Sequence, residues 1–120
     1  MANIYSADYG VPLTSLNAVT GNGAGDAFGI PQKPHRTGRI AFHKHIGGTG
    51  SFSALTLNIE GAIDDPTVAA NWFVLNADTT TSDAQGALTS EYPVNYVRAN
   101  QSASTVASGA PTVTVTLYLD

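Results

Sequence analysis

Thr112-Val113-Thr114-Val115-Thr116-Leu117-Tyr118-Leu119 closes the chain with apolar and hydroxyl side chains in unbroken alternation. A period of two sends Val113, Val115, Leu117 and Leu119 to one face, and three threonines and Tyr118 to the other. Threonine and valine are β-branched and favour the pleated, half-buried surface of a sheet. The stretch predicts a strand that is dry on one side and wet on the other, as antiparallel sheets over a core require.

The same pattern recurs upstream. In residues 53–60, Leu55, Leu57 and Ile59 point one way and Thr56, Asn58 and Glu60 the other. In residues 39–46, Ile40, Phe42 and Ile46 share a face with Lys44, while Arg39, Ala41, His43 and His45 share the opposite one. Short strands are also expected at 27–30, 72–75, 87–91 and 94–100. Glycine-rich or polar runs between them predict loops at 21–26, 47–51, 78–86 and 101–111. Pro31 and Pro34 predict an extended connection over 31–35. Asp64-Asp65-Pro66 predicts a turn, followed by one helical turn at 67–70. Seven or eight strands with no amphipathic helix predict an all-β fold: a single antiparallel β-sandwich, jelly-roll-like. Gly10 and Pro12 argue against a helix near the start. Residues 1–20 are read as an extended N-terminal arm and first strand, and 21–120 as the sandwich body, within one domain.

Composition narrows the function. The 120 residues suit one domain with a core that needs no staples. There is no cysteine, so no disulfide or thiolate metal site. Only 12% of residues are charged, about half the usual share. The net charge is −4 and the five basic residues form no block, which argues against nucleic-acid binding. No basic and apolar leader is visible at Met-Ala-Asn-Ile-Tyr, and no apolar run approaches the roughly 18 residues of a membrane span.

Candidate chemistry is sparse. His43 and His45 lie at i and i+2 on one strand face, where they could share a metal ion with His35. They equally suit a solvated or proton-sensitive contact face. A metal site needs a third ligand and outer-shell support, and none can be placed. Asp64, Asp65 and Glu60 lack the Asp-x-Asp-x-Asp spacing of a calcium loop and any opposed cleft for glycoside hydrolysis. A capped turn accounts for the two aspartates. Trp72, Tyr92 and Tyr96 could stack on sugar rings as a carbohydrate-binding module would; beside Phe73-Val74-Leu75, Trp72 also reads as core or interface. Gly21-x-Gly23-x-Gly25 has no Lys-Ser/Thr ending and opens no helix, so it is no phosphate loop. No nucleophile elbow is present. No enzyme activity, cofactor or metal is expected.

The order of three pieces carries a resemblance: Leu57-Asn58-Ile59-Glu60-Gly61, then an acidic turn into Asn71-Trp72-Phe73-Val74-Leu75, then Tyr96-Val97-Arg98-Ala99-Asn100 before the Thr/Val strand. Over residues 37–120 this resembles the small β-sandwich virion proteins of tailed bacteriophages, which serve as capsid decoration (cement) proteins or as tail and fibre subunits. The resemblance implies a virion structural protein that forms a homo-oligomer, a trimer by preference, and binds the major capsid protein lattice after synthesis in the host cytoplasm. It implies no active site. Ile4, Tyr5, Tyr9, Val11 and Leu13, apolar residues in the arm, are the expected intermolecular contacts; an ordinary first strand is the alternative.

Overall fold

A computed structural model of the chain describes residues 2–31, 38–89 and 94–120. The strands are β1 (Ile4–Ser6), β2 (Leu13–Val19), β3 (Gly23–Gly29), β4 (Arg39–Ala62), β5 (Trp72–Asp78), β6 (Ala84–Thr89) and β7 (Tyr96–Leu119), with a short 3-10 turn at Ala69–Asn71. All seven join one curled, mixed sheet with a principal order of β1-β3-β7-β4-β5; β2 also pairs with β7, and β6 with β4.

β4 and β7 form the spine. They pair antiparallel along their whole length, from Ile40↔Leu119 to Ala62↔Tyr96. A straight strand of 24 residues would run about 79 Å, yet the longest dimension of the molecule is 47 Å. The ribbon must therefore bend. Register shifts fall between Ser51 and Phe52, between Phe52 and Ala54, and between Thr56 and Leu57. Gly50 and Gly109 face each other there with φ of +82° and +67°. A Cβ on Gly50 would lie 1.9 Å from the Ser108 carbonyl oxygen, so only glycine allows the two backbones to approach this closely.

The predicted faces are those observed. Val113, Val115 and Leu117 are completely buried and Leu119 nearly so, while Tyr118 on the other face is exposed. Leu55, Leu57, Ile59, Ile40 and Phe42 join the same core. Each such side chain contributes roughly 1.5–3 kcal/mol on burial. Lys44 follows its apolar neighbours inward and is fully buried. Its Nζ is paired with the Asp78 carboxylate and donates to the Thr80 carbonyl (2.6 Å) and hydroxyl (2.9 Å). All three ammonium protons are thus used.

Ser15 shows how far the sheet curls. β2 is paired with the 113–117 end of β7. Even so, Ser15 Oγ accepts from the Ala99 amide at 2.8 Å and donates to the Asp26 carbonyl at 2.7 Å. Both ends of β7 therefore reach the same short strand.

Several sequence expectations are corrected. The sheet is not wholly antiparallel, because β1 runs parallel to β3 (Ile4↔Ala27, Tyr5↔Phe28, Ser6↔Gly29). The presumed arm is built into the sheet: β1 is an edge strand, Ala7 is buried, and the Ala7 amide donates to the Gly29 carbonyl at 3.0 Å. The loops expected at 47–51 and 101–111 are continuous strand, and most of the 21–26 loop belongs to β3. Ladder hydrogen bonds need only backbone, so small residues that promise a loop can pair with other small residues. The edge strand expected at 87–91 is observed as β6, three residues earlier. The connection through 32–35 lies outside the described residues.

Candidate functional site

The outer face of the β1-β3-β7-β4-β5 half carries the chain's most developed polar arrangement. Register places Ile4, Ala27, Arg98 and Glu60 in one row across β1, β3, β7 and β4. Alternation along β7 sends Val97 and Ala99 to the core, and so Arg98 and Asn100 to the opposite face. There Arg98 Nε donates to Glu60 Oε1 at 2.8 Å and Asn100 Nδ2 donates to Glu60 Oε2 at 3.1 Å. The Arg98 guanidinium carbon also sits 4.1 Å from the centroid of the Trp72 ring. A cation over an indole face, here largely shielded from water, gains electrostatic attraction.

The acidic turn holds Trp72 in place. Asp65 Oδ1 accepts from the Thr67 amide (2.9 Å) and hydroxyl (2.7 Å), and the Asp65 carbonyl accepts from Asn71 Nδ2 at 3.0 Å. The Thr67 hydroxyl and then its amide hold the Asp65 carboxyl below its ordinary pKa. Trp72 Nε1 donates to the Pro66 carbonyl at 3.0 Å, which fixes the ring against the turn. Asp64 and Asp65 are thus the capped turn that the sequence suggested, and Glu60 belongs to Arg98 instead.

Between these walls lies a cleft of about 400 Å³. Asn3 and Ile4 border it from the β1 side, and Pro66, Thr67 and Trp72 from the turn. Gly25, Ala27 and Arg98 lie between them. A wider groove of about 840 Å³ runs along Ile4, Tyr5 and Ser6 and is bordered by Ile30, Ile63, Asp64 and Tyr96.

The other sequence candidates are scattered. His43 and His45 are exposed on the outer face of β4. His45 Nδ1 is 3.1 Å from Asp83 Oδ2, and Asp83 Oδ1 accepts from the Ile46 amide at 2.7 Å. That amide, and then His45, lower the Asp83 pKa. Among the described residues no three His, Asp or Glu side chains converge as metal ligands; His35 and Tyr92 lie outside them. Tyr96 is half-buried at the groove. Of the expected contact residues, Ile4, Tyr5 and Val11 are exposed. Tyr9 is half-buried and donates its hydroxyl to the Pro31 carbonyl. Leu13 is a correction: it faces the core opposite Leu117 and is not at the surface. Arg98, Asn3 and the Lys44–Asp78–Thr80 cluster were not singled out from sequence. Alternation alone would have put Arg98 and Asn100 beside each other on one face, but the 60↔98 register that brings Glu60 to them is non-local.

No protein-family model matches the sequence, and no curated protein does. A solved structure described as "Crystal structure of PirA" aligns over 95% of each chain at 22% identity, with a TM-score of 0.44. A likeness at that level carries neither family nor function.

Proposed function

We propose that this chain is a non-catalytic virion structural protein, a phage capsid decoration protein that docks onto an assembled shell and reinforces it. The finer fold reading belongs to the same proposal: a jelly-roll-like sandwich, made by bending the β4–β7 ribbon so that its two halves share one core. The observation that carries the reading is the grouping of exposed apolar side chains along one groove. Ile4, Tyr5 and Ile63 are 45%, 48% and 46% exposed and all line it. Tyr5 is held by stacking on Phe28, with 6.0 Å between ring centroids, so this surface is pre-organised for contact.

The bend supplies a second supporting feature. Residues 47–56 of β4 and 102–112 of β7 pair only with each other among the described residues, and no Asp, Glu, Lys or Arg occurs in either stretch. Contacts made by such a surface desolvate few ions. A standard interface of roughly 1,600 Å², repeated over a lattice by a symmetric oligomer, converts modest contacts into tight attachment. The preference for a trimer rests on the resemblance.

The test is co-sedimentation with purified particles and copy counting by mass spectrometry. Lattice-matched copy number, lost in the double variant Ile4→Ser/Ile63→Ser with its melting temperature kept, is the expected result. Wild-type chain that stays in the supernatant would refute the proposal. A few copies at a single vertex would assign the chain to the tail or a fibre instead.

A further inference from the structure

We propose that the cleft between Trp72, Arg98 and β1 binds a neutral saccharide. The inference stands apart from the docking proposal because it concerns a different ligand and is tested on Arg98 and Asn3, although Ile4 borders both the cleft and the groove.

The cleft runs across the strands rather than along an edge. The Ile4↔Ala27↔Arg98 row crosses three paired strands, whose backbone groups are engaged in the ladder. β1 is an edge strand, but a peptide strand added along it would lie beside Ile4 and not over Arg98 and Trp72. The ligand must instead be recognised by side chains. Arg98 spends its Nε on Glu60 and lays its guanidinium over Trp72. Its two Nη groups have no hydrogen-bond partner among the described residues. That leaves a planar fork of donors beside a cleft.

The acceptors are equally defined. Thr67 Oγ1 gives its proton to Asp65, so toward a ligand it can only accept. Asn3 Nδ2 donates to the Tyr5 hydroxyl at 3.0 Å, which leaves the Asn3 Oδ1 side as an acceptor. A donor fork, acceptors on Thr67 and Asn3, and the apolar Ile4 and Trp72 all on one lining match a ring that carries hydroxyls on its rim and C–H groups on its faces. A pyranose has that make-up. A volume of about 400 Å³ falls within the ordinary range for small-ligand sites, roughly 300–1,000 Å³.

Charge selects against an acidic sugar. Glu60 already neutralises Arg98. Asp26 stands at the β1 side, where its Oδ1 accepts from the Asn3 amide at 2.9 Å, and Asp65 stands behind Thr67. Arg98, the one charged residue on the cleft lining, is already paired with Glu60, and Asp26 and Asp65 lie just behind the lining, so a ligand carboxylate gains no unpaired cation. Hydroxyl groups take the free donors without adding charge.

The isolated chain is screened on an array of neutral oligosaccharides together with sialylated and uronic-acid-containing ones. The best neutral ligand is then titrated into ¹⁵N-labelled protein. The expected result is binding to neutral glycans, with shifts at the Trp72 indole and at Asn3 and Thr67 and none at His43 or His45. Arg98→Lys, which keeps the charge but loses the fork, should weaken binding by about tenfold or more. Asn3→Trp, on an exposed rim residue, should abolish binding with the melting temperature unchanged. No neutral glycan above background, binding confined to acidic glycans, or shifts centred elsewhere would each overturn the proposal. Particle attachment is measured separately by sedimentation, so failure of one reading does not mimic failure of the other.

Discussion

Removing Asp78 should cost far more than removing the lysine it serves. Lys44 has no exposed side-chain surface, and its ammonium is held by Asp78 together with the carbonyl and hydroxyl of Thr80. Asp78→Ala deletes the only counter-charge among the described residues and leaves the cation in the core. It also deprives the Thr80 hydroxyl of acceptors at 3.1 and 3.2 Å. Breaking a buried pair from one side typically costs about 3–5 kcal/mol. Asp78 retains 16% side-chain exposure, so water can reach part of the gap, and the lower end, about 3 kcal/mol, is the expectation. Against a total stability of about 5–15 kcal/mol, that is a large fraction. Lys44→Met keeps the buried stem and drops the charge. Asp78 then turns its exposed edge to water, and the change should stay within about 1 kcal/mol. The double variant should recover most of the loss from Asp78→Ala. Urea unfolding followed by the fluorescence of the chain's one tryptophan gives all four corners of the cycle. An Asp78→Ala chain as stable as wild type, or a Lys44→Met chain that loses 3 kcal/mol or more, would refute the view that an uncompensated charge is the costly state.

Gly25 and Gly21 make a matched pair. A Cβ on Gly25 would lie 2.1 Å from the Ser15 carbonyl oxygen and 2.8 Å from the Ser15 Oγ that joins β2 to β3 and β7, whereas one on Gly21 meets nothing within 4 Å. Gly25→Ala should therefore lose about 3 kcal/mol or more through overpacking and a broken buried hydrogen bond, with Gly21→Ala near neutral. Equal melting temperatures for the two variants would contradict the close approach of β2 and β3. The Asp65 turn should respond to acid. A carboxyl whose folded pKa is depressed contributes stability that is present above its unfolded value, near 3.8, and is lost as pH falls through the lower folded value. The Thr67 amide and the Trp72 indole should hold steady from pH 5 to 8 and shift together only in the acid range. An Asp65 titration at or above 3.8 would remove the hydrogen bonds from the account, and Asp65→Asn should abolish the shift.

What could be read from the sequence was whatever one-sided burial imposes locally. Because β7 buries one face, Val113, Val115 and Leu117 had to alternate with threonines, and the same rule placed Lys44 among Ile40, Phe42 and Ile46 before any partner was visible. The hidden part was everything set by pairing between distant segments. Gly47 to Ser51 and residues 101–111 carry too few large side chains to announce strands, and most of their ladder exists only because each supplies backbone partners for the other ribbon strand. Side-chain poverty misled the reading, and it is also what permits the bend, since Gly50 could carry no Cβ against Ser108. The cleft follows the same logic. Arg98 on an outer face is a local consequence of alternation, whereas its pairing with Glu60 and stacking on Trp72 require β7, β4 and β5 in register. A sequence reader who takes each strand alone sees an isolated arginine, an isolated glutamate and a tryptophan beside apolar neighbours. In the folded chain the three limit one another: Glu60 fixes the guanidinium edge, Trp72 fixes its plane, and the Nη groups are left to the cleft.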